Sequence, residues 1–420
     1  MVERLFNTEE AARFESCSAY HSSSDRPSIL FLSHCVPNPP DKGEKIRAFH
    51  LFRHLAGRYR VHLACFTRNP DDIQHALALK NQCASIYVEL LREKTALARA
   101  GLRFGAGHCL TTAYYSSRRM AHHLESLRGF DLRAAVAFSS AMTPMAPAGI
   151  PLLTDMVDVD SEKYMQYAEM RHPGLLYRTE ARRLREVERR SALRARCTFL
   201  TTRQEATLLE SIAPGADVES VENGVDFEYF HPNATLAGDG LAGRRFVVFV
   251  GVMDYFPNAD GCRWFTGNVL GPLRQRAPEM EFWIVGKNPS KAVRQLAERP
   301  GVVVTGSVSD VRPYLAAASA VVVPLRIARG VQNKVLEALA MGKRVFASDA
   351  VCRTLGELPT GVTRCVEARD YLDAITAVSG TQPADAAIRA NARQRFDWSR
   401  NMSVVSARVD AAIAACATRQ

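Results

Sequence analysis

Short apolar runs alternate with helical segments along most of the chain. Residues 28–33 are apolar almost throughout, which is typical of a strand buried on both faces of a parallel sheet. A helix with one apolar face is predicted to follow at 44–56. The same pattern predicts further strands at 60–66, 84–90, 134–138, 151–157, 197–202 and 218–221.

The pattern begins again after a segment rich in glycine and proline. A second series of strands is predicted at 246–251, 281–285, 302–305, 320–325 and 344–348. Strands that alternate strictly with helices predict a parallel sheet covered on both faces. The two series therefore predict an α/β protein with two Rossmann-like domains and a cleft between them.

The same pattern sets the expected domain boundaries. Residues 227–244 contain Pro232 and three glycines, and we interpret them as the interdomain linker. We expect a flexible N-terminal extension at 1–27, a first Rossmann-like domain at 28–232, a second at 244–396, and a C-terminal helix at 397–420 that packs back on the first domain.

Composition and charge narrow the class of protein. The chain has 420 residues, of which 47% are hydrophobic, so a large core is expected and wholesale disorder is not. The net charge of +10 favours anionic partners such as nucleotides or acidic lipids. Nucleic acid is not expected, because no known nucleic-acid-binding module accompanies the charge.

The cysteines and the N-terminus indicate in which cellular compartment the protein is expected. Ten cysteines are scattered without a CxxC pair, a pattern that favours reduced thiols in the core over a metal site. No stretch approaches the ~20 apolar residues of a membrane span, and the first 25 residues lack the apolar region of a signal peptide. We expect a cytoplasmic protein.

Ligands of open parallel sheets bind at the carboxyl ends of the strands. The loop after the first strand leads to Gly43, directly before the predicted helix, and Lys42, Lys45 and Arg47 add positive charge. Glycine allows a close approach of the backbone, and a helix N-terminus attracts phosphate. The alternative is an ordinary proline-rich turn.

A second loop leads into a helix whose charged residues point to a more specific ligand. Gly330 precedes a helix on which Lys334 and Glu337 are three residues apart and therefore share one face. A carboxylate at this position can accept two ribose hydroxyls, while the lysine and the helix N-terminus can bind a diphosphate. A surface ion pair explains the same spacing.

Three aspartates lie within or directly after the strand at 151–157. Asp155, Asp158 and Asp160 are placed to contact acceptor hydroxyls or to act in catalysis. Two other readings stay open, namely capping of a helix near Ser161 and binding of a metal.

Two basic regions carry interleaved apolar residues. One is an arginine-rich helix at about 174–195, and the other includes Lys94, Arg99 and Arg103. The sequence leaves two readings open for both, contact with anionic lipid or a lipid-diphosphate acceptor, and a solvated face paired with glutamates.

Taken in order, several motifs resemble one family. Residues 330–342 resemble the donor-site motif of family 4 glycosyltransferases, and Asn223-Gly224-Val225-Asp226 with Phe230 and Pro232 resembles that superfamily's "NGVD…F.P" segment. Residues 251–258 and 306–308 are similar to its members as well. More narrowly, 39–47 and 155–163 resemble sugar transferases associated with exosortase and PEP-CTERM exopolysaccharide systems.

The resemblance implies a GT-B fold and a role for each matching residue. Glu337 would hold the donor ribose, and Gly43 would lie beside the donor phosphates near the acceptor. The expected residues at the reacting centre are Gly43, Arg329, Lys334 and Asp158. Those expected to bind the donor are Gly251, Gly306, Ser307, Val308, Gly330, Val331, Lys334 and Glu337. Those expected to bind the acceptor are Lys45, Arg47, Asp155 and Asp160.

The chain departs from the family pattern at two places. Arg329 stands where many members carry a glutamate that holds the donor sugar. Met253 and Asn258 lie where many carry an arginine and a lysine. We hypothesise that the diphosphate is neutralised instead by Arg326, Arg329, Lys334 and Arg47.

The function implied is a retaining, metal-independent glycosyltransferase without a cofactor. It would move a hexose from a nucleotide sugar to a glycan, lipid-linked through a diphosphate, in exopolysaccharide or cell-envelope synthesis, at the inner face of the membrane. Two alternatives remain, a nucleotide-sugar epimerase of the same architecture and a non-catalytic subunit that binds a glycan or a nucleotide.

Overall fold

The computed structural model describes residues 11–15, 26–41, 43–170, 172–232, 240–241, 243–378 and 384–417. The chain divides into two compact units, one of Met1–Val221 with Ser399–Gln420 and one of Glu222–Trp398. Each unit is built around one sheet. The predicted α/β class with two Rossmann-like sheets is therefore confirmed.

The sheet of the first unit has the order β1-β4-β3-β2-β5-β6-β7-β8. All neighbouring strands pair in parallel except β1, which is antiparallel to β4. The strands are β1 (Ala11–Glu15), β2 (Ser28–Ser33), β3 (Arg60–Thr67), β4 (Ser85–Leu90), β5 (Leu132–Phe138), β6 (Leu152–Val157), β7 (Cys197–Leu200) and β8 (Val218–Ser220).

Helices connect these strands, as parallel crossovers require. They are α1 (Gly43–Arg58), α2 (Asp71–Leu77), α3 (Glu93–Gly105), α4 (Leu110–Tyr115), α5 (Arg118–Ser126), α6 (Asp160–Met170), α7 (Gly174–Arg194) and α8 (Arg203–Ile212).

The N-terminal segment differs from expectation. Ala11–Glu15, which falls within the extension predicted to be flexible, forms strand β1 and adds an antiparallel edge to the sheet. The rest of the predicted extension up to residue 25 lies outside the described residues, as does Lys42.

The sheet of the second unit is parallel throughout, in the order β11-β10-β9-β12-β13-β14. Its strands are β9 (Arg245–Val250), β10 (Met280–Val285), β11 (Val302–Gly306), β12 (Ala320–Val323), β13 (Val345–Ser348) and β14 (Val362–Cys365). Its helices are α9 (Phe256–Phe265), α10 (Gly271–Arg276), α11 (Lys291–Arg294), α12 (Arg312–Ala317), α13 (Asn333–Ala340), α14 (Asp349–Leu355), α15 (Ala368–Thr376) and α16 (Ala386–Arg395).

The order of the strands places one crevice in each unit. From β2, the chain first builds outward through β3 and β4 and then returns to add β5 on the other side. In the second unit the same reversal lies between β9 and β12. Such topological switch points are where open parallel sheets bind ligands, because the loops leave the sheet in opposite directions there.

The boundary between the units differs from the predicted linker. The segment from Glu222 onward belongs to the second unit, where Phe227 is buried in the core cluster and Phe230 packs against it. The guanidinium of Arg389 on α16 donates hydrogen bonds to the carbonyl oxygens of Phe227 and Phe230, at 2.7 and 2.6 Å. Of the predicted linker, 233–239 and 242 lie outside the described residues.

The last helix, α17 (Trp398–Ala417), belongs almost entirely to the first unit. The hydroxyl of Tyr59 donates to Asp410 Oδ1 at 2.6 Å, and His54 Nε2 lies 3.0 Å from Ser406 Oγ. At the sheet's edge, Arg408 pairs with Glu219 of β8. These contacts attach the end of the chain to α1 and β8.

Gly224 has no room for a side chain. A Cβ atom there would lie 2.7 Å from both the backbone nitrogen and Cγ of Trp398. Because the backbone nitrogen cannot move aside, we expect Gly224→Ala to lower the free energy of unfolding of the second unit by about 1–3 kcal/mol. Chemical denaturation measures this. Gly267→Ala is the matched control, because its Cβ would meet nothing within 4 Å. An equal effect of both changes would contradict the packing described.

Candidate functional site

The switch point of the second unit gathers the residues that the sequence singled out for donor binding. Gly251 follows β9 directly, and the segment from Arg326 to Gly330 connects β12 to α13. Since β9 and β12 are neighbours in the sheet, both loops leave from adjacent positions on its carboxyl edge. Their residues are therefore brought together by the strand order.

Lys334, in the first turn of α13, is held in place on two sides. Its ammonium Nζ donates to Oδ1 of Asn258 at 2.7 Å. The same atom lies 4.1 Å from the ring centroid of Phe249, a cation–π contact. Burial lowers the pKa of Lys334 to about 8. A nearby anion would therefore be bound by a cation that is already fixed and partly desolvated.

Gly251 is the position where this lysine needs space. A Cβ at Gly251 would lie 2.8 Å from Asn258 Nδ2 and 3.1 Å from Lys334 Nζ. Asn258 also donates from Nδ2 to the carbonyl oxygen of Val252, at 2.9 Å, so its amide is fixed at both ends. The absence of a side chain at Gly251 thus allows the loop, the amide and the ammonium to come together.

Glu337 lies about one turn farther along α13 and is half-buried. Burial raises the pKa of this carboxyl group to about 7, and the charge of Lys334 opposes that shift. Among the described residues, no side chain or backbone N–H donates a hydrogen bond to the Glu337 carboxylate. A desolvated carboxylate whose hydrogen-bonding capacity is unused is suited to a polar ligand such as a diol.

The loop before α13 adds shape and charge. Gly330 has a φ of 58°, in the left-handed region that glycine adopts without strain. Val331 is buried, and Arg329 is half-buried. Arg326, by contrast, is engaged with Asp260, at 2.8 Å from Nε to Oδ2. The charge of Arg326 is therefore largely compensated by Asp260, which makes this residue less suited to bind a diphosphate than the sequence analysis expected.

The turn after β11 carries the residues expected to line a base pocket. Gly306 has a φ of 72°, and its carbonyl oxygen accepts a hydrogen bond from the N–H of Gly286 at 3.2 Å. Ser307 is exposed, and Val308 packs against the core. The turn lies on the same sheet edge as Gly251, two strands away.

In the first unit, two of the residues predicted to bind the acceptor pair with each other. Arg47 and Asp155 are 1% and 0% exposed, and Arg47 Nε lies 3.0 and 2.9 Å from the two carboxylate oxygens of Asp155. Arg47 also donates to the carbonyl oxygen of Val221 at 2.8 Å. The structure therefore gives both residues a role in tying α1 to β6. Both side chains are buried, whereas the sequence analysis expected them to contact an acceptor.

The other residues of this group are also engaged. Lys45 Nζ donates to Asp72 at 3.0 Å, and Asp160 accepts from Lys163 at 2.5 Å. Gly43 begins α1 and is exposed. An acceptor contact by these residues stays a prediction.

The loop after β6 is fixed by buried carboxylates. Asp158 accepts from Thr201 Oγ1 at 2.7 Å, and burial raises its pKa to about 6. Glu188 of α7 accepts from both the N–H and the hydroxyl of Ser161. Val157 has a φ of 69°, which is strained for a β-branched residue. The start of α6 is thus capped by Glu188, whereas Asp158 and Asp160 bond to Thr201 and Lys163. The acceptor and catalytic roles of the aspartates stay predictions.

Sequence reasoning missed a histidine at the first unit's switch point. His34 directly follows β2, its ring is stacked on Phe138 at 5.6 Å, and its Nε2 lies 3.5 Å from a carboxylate oxygen of Glu44. A histidine at the carboxyl end of a predicted central strand was the available signal. It also missed Asn258 as the partner of Lys334, for which the sequence holds no local signal.

The described residues include neither a group of metal ligands nor a helix that could span a membrane. No group of three or more His, Cys, Asp or Glu side chains among them is placed to hold a metal ion. No helix in the part of the chain that the structure describes is long and apolar enough to cross a membrane. The nine cysteines described are free thiols.

Comparison with known sequences gives one match. Residues 244–379 match the model of the family "Glycosyl transferases group 1". The match covers about a third of the chain and lies entirely within the second unit, including β9, β12 and α13. No curated protein matches the chain.

Solved structures share the fold over nearly the whole chain. Sucrose-phosphate synthase (tll1590) from Thermosynechococcus elongatus is 16% identical, with a TM-score of 0.66 over 93% of this chain and 100% of that one. Anabaena Alr3699/HepE in complex with UDP is 14% identical, with a TM-score of 0.63 over 91% and 100%. Trehalose 6-phosphate synthase from Burkholderia multivorans is 11% identical, with a TM-score of 0.62 over 93% and 100%. The predicted GT-B fold is confirmed.

The raised pKa of Glu337 predicts a stability that depends on pH. Because the pKa is about 7 in the folded protein and 4.5 ordinarily, the folded state retains a proton that the unfolded chain releases between those values. The contribution of Glu337 therefore becomes less favourable as pH rises from 4.5 to 7. We expect Glu337→Gln to melt at a higher temperature than the native protein at pH 8, by about 2–4 °C, and at nearly the same temperature at pH 5.

Thermal melts at the two pH values check this expectation, with exposed Glu298→Gln as the matched control in the same unit. A gain of equal size at both pH values, or a loss at pH 8, would contradict the burial of a charged carboxylate at position 337.

Proposed function

We propose that the protein is a glycosyltransferase that binds a nucleotide sugar through its second unit. The observation that carries the proposal is the pair formed by Lys334 and Glu337 at the β9–β12 switch point. There, a fixed cation lies beside a carboxylate that has no hydrogen-bond donor among the described residues. Glu337 would accept the two ribose hydroxyls, and Lys334 with the N-terminus of α13 would bind the diphosphate.

The comparisons support this reading at the level of the family and the fold. The segment that contains both residues is the one that matches the group 1 glycosyltransferase model. Among the proteins that share the fold, Alr3699/HepE has been solved with UDP and with UDP-glucose. We propose a hexose as the group transferred.

The chemistry follows from these groups. The bond between the anomeric carbon and the diphosphate oxygen breaks, the acceptor oxygen forms a new bond to that carbon, and a donor phosphate oxygen takes the acceptor's proton. Negative charge develops on the departing diphosphate, and a preorganised cation stabilises it without having to reorganise. We propose that the anomeric configuration is retained and that the protein's cations take the place of a metal.

Lys334 can replace the cations that the loop after β9 lacks. Where many family 4 enzymes carry an arginine and a lysine, this chain has Met253 and Asn258. Met253 is buried, and Asn258 is the residue that holds the Lys334 ammonium. We infer that the positive charge is supplied from α13 instead of from the β9 loop, with Arg329 as a second source.

We propose that the acceptor is a glycan linked to lipid through a diphosphate, in exopolysaccharide or cell-envelope synthesis, and that it is used at the cytoplasmic face of the membrane. A basic and apolar surface on the first unit supports it. Leu102 of α3 and Leu175 of α7 are 80% and 78% exposed, and Arg183 of α7 is stacked on Phe104 at 4.2 Å, joining the two helices.

Basic residues lie on the same two helices as these leucines. Lys94, Arg103, Arg178 and Arg182 are exposed on the same two helices. Others are paired, such as Arg189 with Glu186 and Arg185 with Glu162. Exposed leucines among unpaired cations are typical of a surface that lies on anionic lipid. We refer to α3 and α7 with these residues as the basic apolar face.

Donor binding is the direct test. Calorimetry and thermal melts against UDP-, GDP-, ADP- and dTDP-sugars should identify one nucleotide that adds about 2.7 kcal/mol of stability at ~100 times its Kd. We expect Lys334→Met and Glu337→Ala each to weaken its binding by about 10–100-fold, because each removes a charged hydrogen-bonding partner. Arg329→Ala should lower turnover by ~10-fold or more.

Lys291→Met, at an exposed lysine of α11, is the control for the loss of one positive charge from the same unit. Binding of no nucleotide, or equal affinity in all variants, would favour the non-catalytic glycan-binding subunit. Release of an altered nucleotide sugar without any acceptor would favour the epimerase.

Vesicle binding tests the basic apolar face. We expect the protein to sediment with vesicles of phosphatidylglycerol and phosphatidylcholine, and less so as salt rises, because the attraction is partly electrostatic. Leu102→Asp should weaken binding, since it replaces an exposed leucine of the face with a negative charge. Leu193→Asp, at an exposed leucine near the other end of α7, is the control. Equal binding of vesicles by both variants would contradict the proposal that the basic apolar face contacts the membrane.

A further inference from the structure

The ring of Tyr229 is 43% exposed although the residues on either side of it serve the core of the second unit. Phe227 is buried, Phe230 packs against the core, and both backbone carbonyls are held by Arg389. The segment that carries Tyr229 is therefore anchored to α16. An anchored aromatic ring that stays exposed is available to a ligand rather than needed for packing.

The ring is also fixed from one side. The guanidinium carbon of Arg312 lies 4.0 Å from the ring centroid, and Arg312 donates to the carbonyl oxygen of Tyr229 at 3.0 Å. Asp310 in turn accepts two bonds from Arg312 Nε, at 3.0 and 2.9 Å. Asp310 and Arg312 thus form a rigid support beneath the aromatic ring, so little side-chain entropy remains to be lost on binding.

The position of this support connects two parts of the candidate donor site. Arg312 begins α12, which follows the turn at Gly306, Ser307 and Val308. The charge of Glu337 also raises the pKa of the Tyr229 phenol, after burial and Asp310 as larger causes. Through Arg312, the ring is joined to the helix that follows the proposed base pocket.

The same segment is attached to the donor helix itself. Asn223 Nδ2 donates to Oδ1 of Asn333 at 3.1 Å, and Asn333 is the first residue of α13. The backbone from Asn223 to Phe230 is consequently held at one end by α13 and at the other by α16. Its position relative to Glu337 is set by these contacts.

We propose that Tyr229 is the platform on which the nucleobase of the donor stacks, supported from below by Arg312. The proposal rests on the proposed function, because it takes Glu337 as the ligand of the ribose. Stacking of a base on an aromatic side chain contributes about 1–3 kcal/mol and tolerates every base, since each presents a π face. Tyr229 therefore supplies affinity for a nucleoside, and the choice of base falls to the turn at Gly306.

The test compares ligands with and without a base. Calorimetry on the full chain would use UDP, GDP and ADP on one side, and inorganic diphosphate and ribose 5-phosphate on the other. For the nucleotide that the native protein binds, we expect Tyr229→Ala to raise Kd by about 5–150-fold, the conversion of 1–3 kcal/mol. Tyr229→Phe, which keeps the ring, should stay within about 3-fold of the native protein.

Ligands without a base should be unaffected by Tyr229→Ala. Phe130→Ala is the matched control, because this residue of the first unit is 40% exposed and lies outside the candidate site. A melting temperature for each variant separates loss of the ring from loss of the fold.

Three results would overturn the inference. An unchanged Kd for the nucleotide in Tyr229→Ala would do so while leaving the proposed function intact. An equal loss for the nucleotide and for inorganic diphosphate would show that the ring only supports the local structure. If the native protein binds no nucleotide, the proposed function fails first and this inference fails with it.

Discussion

The ammonium group of Lys334, partly removed from water at the carboxyl edge of the second sheet, is the interaction on which the candidate site depends. Its burial is tolerated because Asn258 accepts a hydrogen bond from it and the face of Phe249 stabilises the charge. The missing side chain of Gly251 leaves the space for this arrangement. With Glu337 about one turn away, the site places a cation and a carboxylate where a nucleoside diphosphate presents a diphosphate and a diol.

Parallel strand pairing explains why these groups meet. Lys334 and Asn258 are far apart along the chain, and they come together because β9 and β12 are neighbours and both crossovers leave from the carboxyl edge. The first unit has the same arrangement at β2 and β5, where His34 and Glu44 lie. In that unit, however, Arg47 and Asp155 form a buried ion pair with each other. The loop after β6 is held by Glu188 and Glu205 in a similar manner. The buried charged groups of the first unit thus bind other groups of the protein and hold its loops in place.

Local features of this chain could be predicted from its sequence, and contacts between separate elements could not. The buried strands, the α/β class and the helix that carries Lys334 and Glu337 were predictable, because apolar periodicity and spacing along a helix are local properties. The pairing of Arg47 with Asp155 and of Arg326 with Asp260 was not, because each joins residues from separate elements. A charged residue in a loop looks the same in the sequence whether it faces a ligand or a partner. The strand at Ala11–Glu15 was missed for a related reason, since an edge strand is defined by its neighbour, β4.

Hydrogen–deuterium exchange of the full chain with and without a UDP-sugar tests the central claim most directly. We expect slower exchange of the amides in two segments of the second unit, 251–258 and 329–337, and in the turn at 306–308. Exchange in the loop after β6 should change little, because its N–H groups are already bonded to protein carboxylates. Protection at the β6 loop without protection at 329–337 would contradict the placement of the donor site on the second unit.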